Sequence, residues 1–148
     1  MALRERLMAE LQSAMRNQDT VRRDTIRMTR AALVNLEIEL QREATDEEVL
    51  DLIARQVKQR KESIEMFRQG GRQDLVDAEE AQLVILEEYL PRQLTRSEIE
   101  QVVQEIIDDM GATDMKQMGP VMRESMSQLK GQADGSLVNQ IVREILSR

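Results

Sequence analysis

The sequence predicts an all-α protein with an N-terminal four-helix unit followed by a small three-helix domain. Aromatic residues make up only 1% of the 148 residues, so the core must come from the Leu, Ile, Val, Met and Ala side chains that suit helical bundles. No segment alternates polar residues with β-branched or aromatic ones as a half-buried strand does. Only two prolines, Pro91 and Pro120, interrupt the helical periodicity.

The first two helices are predicted from apolar residues that recur every three or four positions. Helix one should end at the polar run 17–19, where Asp19 can cap the start of helix two. Helix two should end near Glu43. The apolar positions that define these helices are Leu3, Leu7, Leu11 and Met15 in the first, and Ile26, Thr29, Leu33, Leu36 and Leu40 in the second.

The next two helices are predicted from their end signals. Residues 45–48 form a capping box, in which a threonine and a glutamate three positions later bond each other's backbone amides, so helix three should begin at about Asp46. The two glycines at 70–71 should end it, because glycine readily adopts the left-handed conformation found after helices. Helix four should then run from about Arg72 to Leu90.

Pro91 marks the predicted domain boundary, because proline cannot continue a helix and restricts the residue before it. We therefore expect an N-terminal domain at 1–90 and a C-terminal three-helix domain at 91–148. A second capping box at 95–98 should start helix five, and Gly111 should end it. The remaining predicted boundaries are Met115 and Gly131 for helix six, and Leu137 and Leu146 for helix seven.

Histidine and cysteine are both absent from the sequence. Imidazole is the usual general base near neutral pH and the commonest metal ligand, and thiolates are the other common nucleophiles and ligands, so most known active sites cannot be assembled here. Adjacent acidic residues occur in pairs, but neighbours on a helix point about 100° apart and are usually solvated. The sequence therefore predicts no catalytic residue, no metal and no cofactor, and no enzymatic activity by this chain alone.

The chain is predicted to be cytoplasmic and to have no membrane association. Its first residues carry charges where a targeting segment would have to be apolar, and no stretch approaches the roughly 20 apolar residues of a membrane span. The absence of cysteine is compatible with a reducing compartment.

The formal net charge of −7 argues against non-specific binding to nucleic acid. Two basic stripes nevertheless occur in the first half, and each allows two interpretations. The arginines and lysines could contact phosphates, or they could form ordinary ion pairs on helix surfaces, which we favour. The stripes are Arg16, Arg23, Arg27 and Arg30, and then Lys58, Arg60, Lys61, Arg68 and Arg72.

Methionines cluster in the second half of the chain, where two interpretations also remain. Flexible thioethers can line an adaptable groove for a partner helix, whereas the same spacing fits an ordinary core helix, and core packing is favoured. The residues are Met110, Met115, Met118, Met122 and Met126.

The segment 130–135, Lys-Gly-Gln-Ala-Asp-Gly, surrounds a predicted turn that leads into a helix N-terminus. Free amides at such an end attract anions. The same residues also fit a helix C-cap followed by an Asp-Gly turn, and the residues alone slightly favour this structural interpretation. The glycine and serine spacing excludes a P-loop.

Several segments resemble landmarks of the GatB/YqeY family, in the order expected for it. They are Lys58-Gln-Arg-Lys-Glu-Ser63, Gly71-Arg-Gln-Asp-Leu75 with Glu79, Tyr89-Leu-Pro91, Met118-Gly-Pro-Val-Met122, Lys130-Gly-Gln-Ala-Asp-Gly135 and Leu137-Val-Asn139. The resemblance covers essentially the whole chain and is to a free-standing YqeY-type protein. Pro120 stands where lysine is common, and 127–128 replace a stretch that commonly contains proline.

The resemblance implies that the second domain is similar to the tail of the B subunit of tRNA-dependent amidotransferases, which is associated with holding tRNA. The expected function is therefore a non-catalytic tRNA-linked binding or accessory protein, whose partners would be tRNA and an aminoacyl-tRNA-related protein. The family label, carbon–nitrogen ligase with glutamine as amido donor, comes from the whole enzyme. The residues expected to grip phosphates are Lys130, Gly131, Asp134, Gly135 and Ser136, with Arg123 and Arg143.

Two alternatives to the tRNA-linked function remain open. One is a helical protein-interaction adapter with no RNA role, in which the methionine-lined face accepts a partner helix. The other is an amidotransferase-like enzyme, against which the missing histidine and cysteine argue.

Overall fold

The computed structural model describes residues 2–148, and every regular element in that range is helical, which confirms the predicted all-α fold. The chain forms two compact units, the first ending at Leu90 and the second comprising Pro91–Arg148. The assignment of these units as the predicted domains 1–90 and 91–148 stays a prediction. The first unit contains α1 (Leu3–Arg16), α2 (Thr20–Leu40), α3 (Asp46–Gln69) and α4 (Gln73–Glu87), and the second contains α5 (Arg96–Met110), a 3₁₀ turn (Met115–Gln117), α6 (Met118–Leu129) and α7 (Gly135–Leu146).

Two helix boundaries differ from prediction because the backbone changes conformation without a glycine. α2 ends at Leu40 instead of near Glu43, since Gln41 adopts a left-handed φ of 56° that the sequence does not signal. Helix six was predicted to begin with the methionines, but a 3₁₀ turn at Met115–Gln117 precedes α6, which begins at Met118. Short 3₁₀ turns of this kind are frequent at helix N-termini.

Two further boundaries differ at α4 and α7. α4 ends at Glu87 instead of Leu90, because the amides of Tyr89 and Leu90 donate to carbonyls three residues earlier and tighten the last turn. α7 begins at Gly135, two positions before the predicted Leu137, so the Asp-Gly turn is part of the helix start.

Both predicted capping boxes are confirmed, and each is extended by an arginine that was not predicted. At the start of α3, the Thr45 amide donates to Glu48 Oε1 at 3.0 Å and the Glu48 amide donates to Thr45 Oγ1 at 3.2 Å. Arg42 donates both terminal nitrogens to the same carboxylate at 2.7 and 3.1 Å. These bonds, first the one from Arg42, lower the pKa of Glu48 to about 2. The equivalent residues at α5 are Arg92, Thr95 and Glu98, and the pKa of Glu98 is also about 2.

Acid should weaken both capping boxes between about pH 4.5, the ordinary value for glutamate, and about pH 2. Because folding lowers the pKa of both glutamates, their carboxylates stabilise the protein at any pH above the ordinary pKa of glutamate. This stabilisation is lost as the pH falls through the pKa of the folded protein. We expect the urea midpoint of the wild type to exceed that of the Glu48→Gln/Glu98→Gln variant near neutral pH. Glutamine keeps the shape of the box without its charge, so this difference should shrink steeply between about pH 4.5 and pH 2. A difference at pH 2 as large as the one near neutral pH would contradict the assignment.

The core of the first unit is apolar and receives side chains from all four helices, with α3 packed mainly on α4 and α1 on α2. Full burial of aliphatic side chains of this size contributes roughly 1.5 to 3 kcal/mol each. The buried members are Leu7, Leu11, Ile26, Leu33, Ala44, Val49, Ile53, Val57, Leu86 and Tyr89.

Tyr89 connects the end of α4 to α1 within a cluster of charged residues. Its side chain is buried, its hydroxyl donates to the Glu10 carboxylate, and the Arg6 guanidinium lies 4.4 Å from the ring centroid. Arg6 also donates to Glu10 at 3.0 Å, while Arg22 of α2 donates twice to the Glu88 carboxylate at 2.7 and 3.1 Å. Burial, followed by the bond to Glu10, raises the pKa of Tyr89 above its ordinary value.

The second unit has its own apolar core, formed by α5, α6 and α7. Ser125 of α6 is fully buried there, and its Oγ has no hydrogen-bond partner within residues 2–148. Burying this unpaired hydroxyl lowers the free energy of unfolding of the second unit. The buried apolar members are Ile99, Val103, Ile106, Ile107, Val121, Leu129, Val138, Ile141, Val142 and Leu146.

Candidate functional site

The predicted phosphate-binding turn lies between the end of α6 and the start of α7. Gly131 has a φ of 78°, which favours glycine, and Lys130, Asp134 and Ser136 are exposed. Gly135 contacts α6, since a Cβ at this position would lie 3.6 Å from the Met126 Cε atom. Gly131 thus follows the C-cap of α6, as the structural interpretation expects, whereas Asp134 and Gly135 are the N-cap and first residue of α7 and not a separate turn.

The backbone of this turn is bound by the segment that follows Pro91. Gln93 Nε2 donates to the Gly131 carbonyl at 2.7 Å, and the Leu94 amide donates to the Gln132 carbonyl at 2.9 Å. A Cβ at Gly131 would lie 3.5 Å from Pro91 Cγ. Gly131 thus allows the turn to pack closely against the segment that follows Pro91, about 40 residues earlier in the sequence. Local sequence patterns could not reveal the hydrogen bonds from Gln93 and Leu94.

Arg123 and Arg143 are exposed but lie away from the turn. At a rise of about 1.5 Å per residue, Arg123 is about 10 Å from Lys130 along α6, and Arg143 is about 12 Å from Gly135 along α7. The seven predicted residues therefore do not converge on one point, and their role in binding nucleic acid stays a prediction.

The second basic stripe is largely neutralised by acidic residues of α4. Arg60, with a side chain only 11% exposed, lies 3.0 Å from Glu79, and Arg68 lies 3.2 Å from Glu80. Arg72 pairs with Asp74 at 3.0 Å. The ion-pair interpretation holds for the three arginines of this stripe.

The first basic stripe is different, because most of its arginines lack a carboxylate partner. Arg23 pairs with its neighbour Asp24 at 2.9 Å. Arg27 Nη2 instead lies 3.9 Å from the Met15 sulfur. Among the described residues, no carboxylate lies within ion-pairing distance of Arg16, Arg27 or Arg30.

Two strongly exposed apolar side chains continue this stripe along α2. Val34 is 52% exposed and Ile38 is 69% exposed. With about 100° of rotation per residue, the steps of three or four positions between these residues keep all of them within a sector of about 80° on the helix surface. We call this surface the α2 ridge, and it comprises Arg23, Arg27, Arg30, Val34 and Ile38.

A shallow groove of about 390 Å³ adjoins the apolar end of the α2 ridge. Its charged rim is already engaged: Glu37 accepts from Arg4 at 2.9 Å and from the Ala44 amide at 2.7 Å. These bonds, first the one from Arg4, lower the pKa of Glu37, so that it remains a carboxylate. The lining residues are Val34, Glu37, Ile38, Gln41, Arg42 and Glu43.

The clustered methionines do not form a single exposed face. Met118, Met122 and Met126 are partly buried against the core of the second unit, whereas Met110 and Met115 are 44% and 39% exposed. Core packing therefore accounts for three of the five.

In the part of the chain that the structure describes, no group of three or more acidic residues is arranged to hold a metal ion. The helices described there also lack the combination of length and hydropathy that crossing a membrane requires.

These features define a two-unit helical protein with a basic and apolar ridge on its first unit. The chain belongs to the family of Yqey-like proteins, whose family model matches residues 4–146, and the resemblance to the GatB/YqeY family is confirmed.

Relatives in three fungi are similar to this chain, and each is named altered inheritance of mitochondria protein 41, mitochondrial. The Pyrenophora tritici-repentis protein is 34% identical over 95% of this chain and 79% of its own length. The Lachancea thermotolerans protein is 35% identical over 79% of this chain and 62% of its own length. The Kluyveromyces lactis protein is 35% identical over 86% of this chain and 67% of its own length.

These names contradict two predictions. They concern mitochondria and mention neither tRNA nor amido transfer, so the predicted tRNA-linked function and cytoplasmic location are both wrong. The function was inferred by analogy with a similar domain, and a shared fold does not fix a function. The location was inferred from the lack of an apolar segment, whereas mitochondrial transit peptides are amphipathic and rich in arginine.

Proposed function

We propose that this chain is a helical protein-interaction adapter that has no catalytic role of its own. The observation that supports the proposal is the α2 ridge, where Arg27 and Arg30, which lack an ion-pair partner among the described residues, continue into exposed aliphatic side chains. A soluble helix normally places such residues apart, with apolar side chains towards the core and charges towards water. On α2 the arginines and the exposed aliphatic side chains lie on one solvent-facing side, where a partner surface can contact both.

Arginine and large apolar side chains are the residue types suited to a protein interface. Arginine is frequent among the interface residues that contribute most of the binding free energy. Its planar guanidinium can donate two parallel hydrogen bonds to one carboxylate. Ile38, at 69% exposure, leaves apolar area in water that a partner would cover. The α2 ridge is a better interface than the methionine-lined face, because three of those methionines already pack on the core.

The lack of imidazole and thiol in the sequence supports the non-catalytic part of the proposal. The amidotransferase-like alternative makes a different prediction, because it requires glutamine hydrolysis by the purified chain. Such turnover at an appreciable rate would contradict an adapter without catalysis.

Replacing exposed residues of the α2 ridge by glutamate should strongly reduce partner capture without unfolding the protein. We expect the Arg27→Glu/Ile38→Glu variant to recover about tenfold less of the same partner proteins from a ribonuclease-treated extract, since an arginine contact and an apolar contact are both lost. Both positions are solvent-exposed, so the urea midpoint should stay near the wild-type value.

The matched control is Arg55→Glu/Met66→Glu, which changes one exposed arginine and one exposed apolar residue on α3. Met66 is 71% exposed, so the control alters a comparable surface. It should leave capture unchanged. Capture that disappears with ribonuclease, or that survives the α2 variant at full strength, would contradict the proposed function.

A further inference from the structure

We infer that the partner of the α2 ridge is an amphipathic helix with carboxylates along one half and large aliphatic side chains along the other. This inference rests on the proposed function, because it names the chemistry of the partner that the adapter binds. Three features of the described residues support it: the charge balance of the arginines, the state of the groove and the spacing along α2.

The arginine half of the α2 ridge selects an acidic partner. Arg30 has no carboxylate within ion-pairing distance among residues 2–148. The Arg27 guanidinium lies 3.9 Å from the Met15 sulfur. The pKa of Asp24 is lowered first by its bond from Arg23, at 2.9 Å, and the charge of Arg27 lowers it further only from beyond ion-pairing distance. Carboxylates placed opposite these groups would form charge-assisted hydrogen bonds that the chain itself does not supply. The protein as a whole has a net charge of −7, yet its acidic residues leave Arg27 and Arg30 without a carboxylate within ion-pairing distance in residues 2–148.

The aliphatic half selects large apolar side chains. Val34 and Ile38 stand four positions apart, so one side chain of a partner helix can contact both. The charged neighbours offer little to a polar partner, because Glu37 is bonded to Arg4 and to the Ala44 amide. Covering Val34 and Ile38 therefore removes apolar surface from water without burying an unpaired charge.

The geometry favours a helix over other partners. From Arg23 to Ile38 the ridge runs 15 positions, about 22 Å at the usual helical rise, which matches a partner helix of about four turns. The described residues contain no sheet edge to which an extended peptide could add a strand. A nucleic acid would satisfy the arginines but would leave Val34 and Ile38 in water.

The test is selection of a helical-peptide display library on the 148-residue chain. The library peptides span about four turns and are randomised on one face. We expect the enriched peptides to share carboxylates at helical spacing on one half and Leu or Ile on the other. Their affinity should fall about tenfold with Arg27→Glu and with Ile38→Glu, stay unchanged with Met66→Glu, and weaken as salt is added.

Enriched peptides that lack carboxylates, or that bind independently of the two ridge positions, would overturn the inference, as would a selection that enriches none. Polyuridylate and vesicles of phosphatidylserine with phosphatidylcholine serve as competing probes, and ridge-dependent binding tighter than that of the peptides would also overturn it. The proposed function can survive that failure, because ribonuclease-resistant, ridge-dependent capture of a protein would still stand. If the ridge substitutions also leave protein capture unchanged, both the proposed function and this inference are contradicted.

Discussion

Tyr89→Ala is expected to destabilise the first unit by about 3 to 5 kcal/mol, the usual cost of removing a buried aromatic side chain. The ring is 4% exposed and belongs to the core, and the Arg6 guanidinium lies 4.4 Å from its centroid. Truncation also removes the hydroxyl that donates to Glu10. Such a loss is a large fraction of the stability of an ordinary domain, so the urea midpoint of the first unit should fall markedly.

Tyr89→Phe separates the contribution of the ring from that of the hydroxyl. Phenylalanine keeps the packing and the contact with Arg6 but removes the bond to Glu10, so the expected loss is about 1 kcal/mol. Equal losses for the two variants would show that the ring packing is not what connects α4 to α1. The expected difference follows from the burial of the ring.

Ile141→Ala is expected to destabilise the second unit by about 2 to 5 kcal/mol. Ile141 is fully buried on α7, in a core built from only three helices. A small unit buries a smaller fraction of its surface than a large one, so it has less stability to lose. Amide hydrogen exchange of the full chain should therefore speed up across α5, α6 and α7 together.

Ile145→Ala is the control on the same helix, because Ile145 is only partly buried at the edge of that core. It removes the same atoms from a site that can rearrange or admit water, so its effect on exchange should be clearly smaller. An effect as large as that of Ile141→Ala would contradict the observed arrangement of the core.

Apolar spacing and end signals predicted the helices because both act within a few residues. Thr45 with Glu48 and Thr95 with Glu98 are local devices, and both form as the sequence indicates. The left-handed Gln41 was missed because the usual signal at such a position is glycine.

Contacts between distant positions could not be predicted in the same way. The close approach of Gly131 to Pro91, and the bond from Gln93 to the Gly131 carbonyl, join segments about 40 residues apart in sequence that only the folded second unit brings together. For the same reason the sequence identified 130–135 as unusual without revealing what its glycine contacts.

The candidate surface was only half visible in the sequence. The helical spacing of the arginines in the first stripe is evident from the sequence. Whether acidic residues form ion pairs with them depends on which helices pack nearby. Arg60 and Arg68 are neutralised by α4, whereas Arg27 and Arg30 are not. Val34 and Ile38 follow the same helical spacing as core residues, and only the placement of α1 and α3 shows that they face water.

The most direct test of the α2 ridge is site-specific photo-crosslinking in the native cell. A benzophenone side chain at Ala31, which is exposed between Arg27 and Val34, should crosslink one protein partner reproducibly. The same group at Met66 on α3 should not crosslink that partner. Equal crosslinking from both positions, or crosslinks from Met66 alone, would contradict the claim that this chain works through the exposed face of α2.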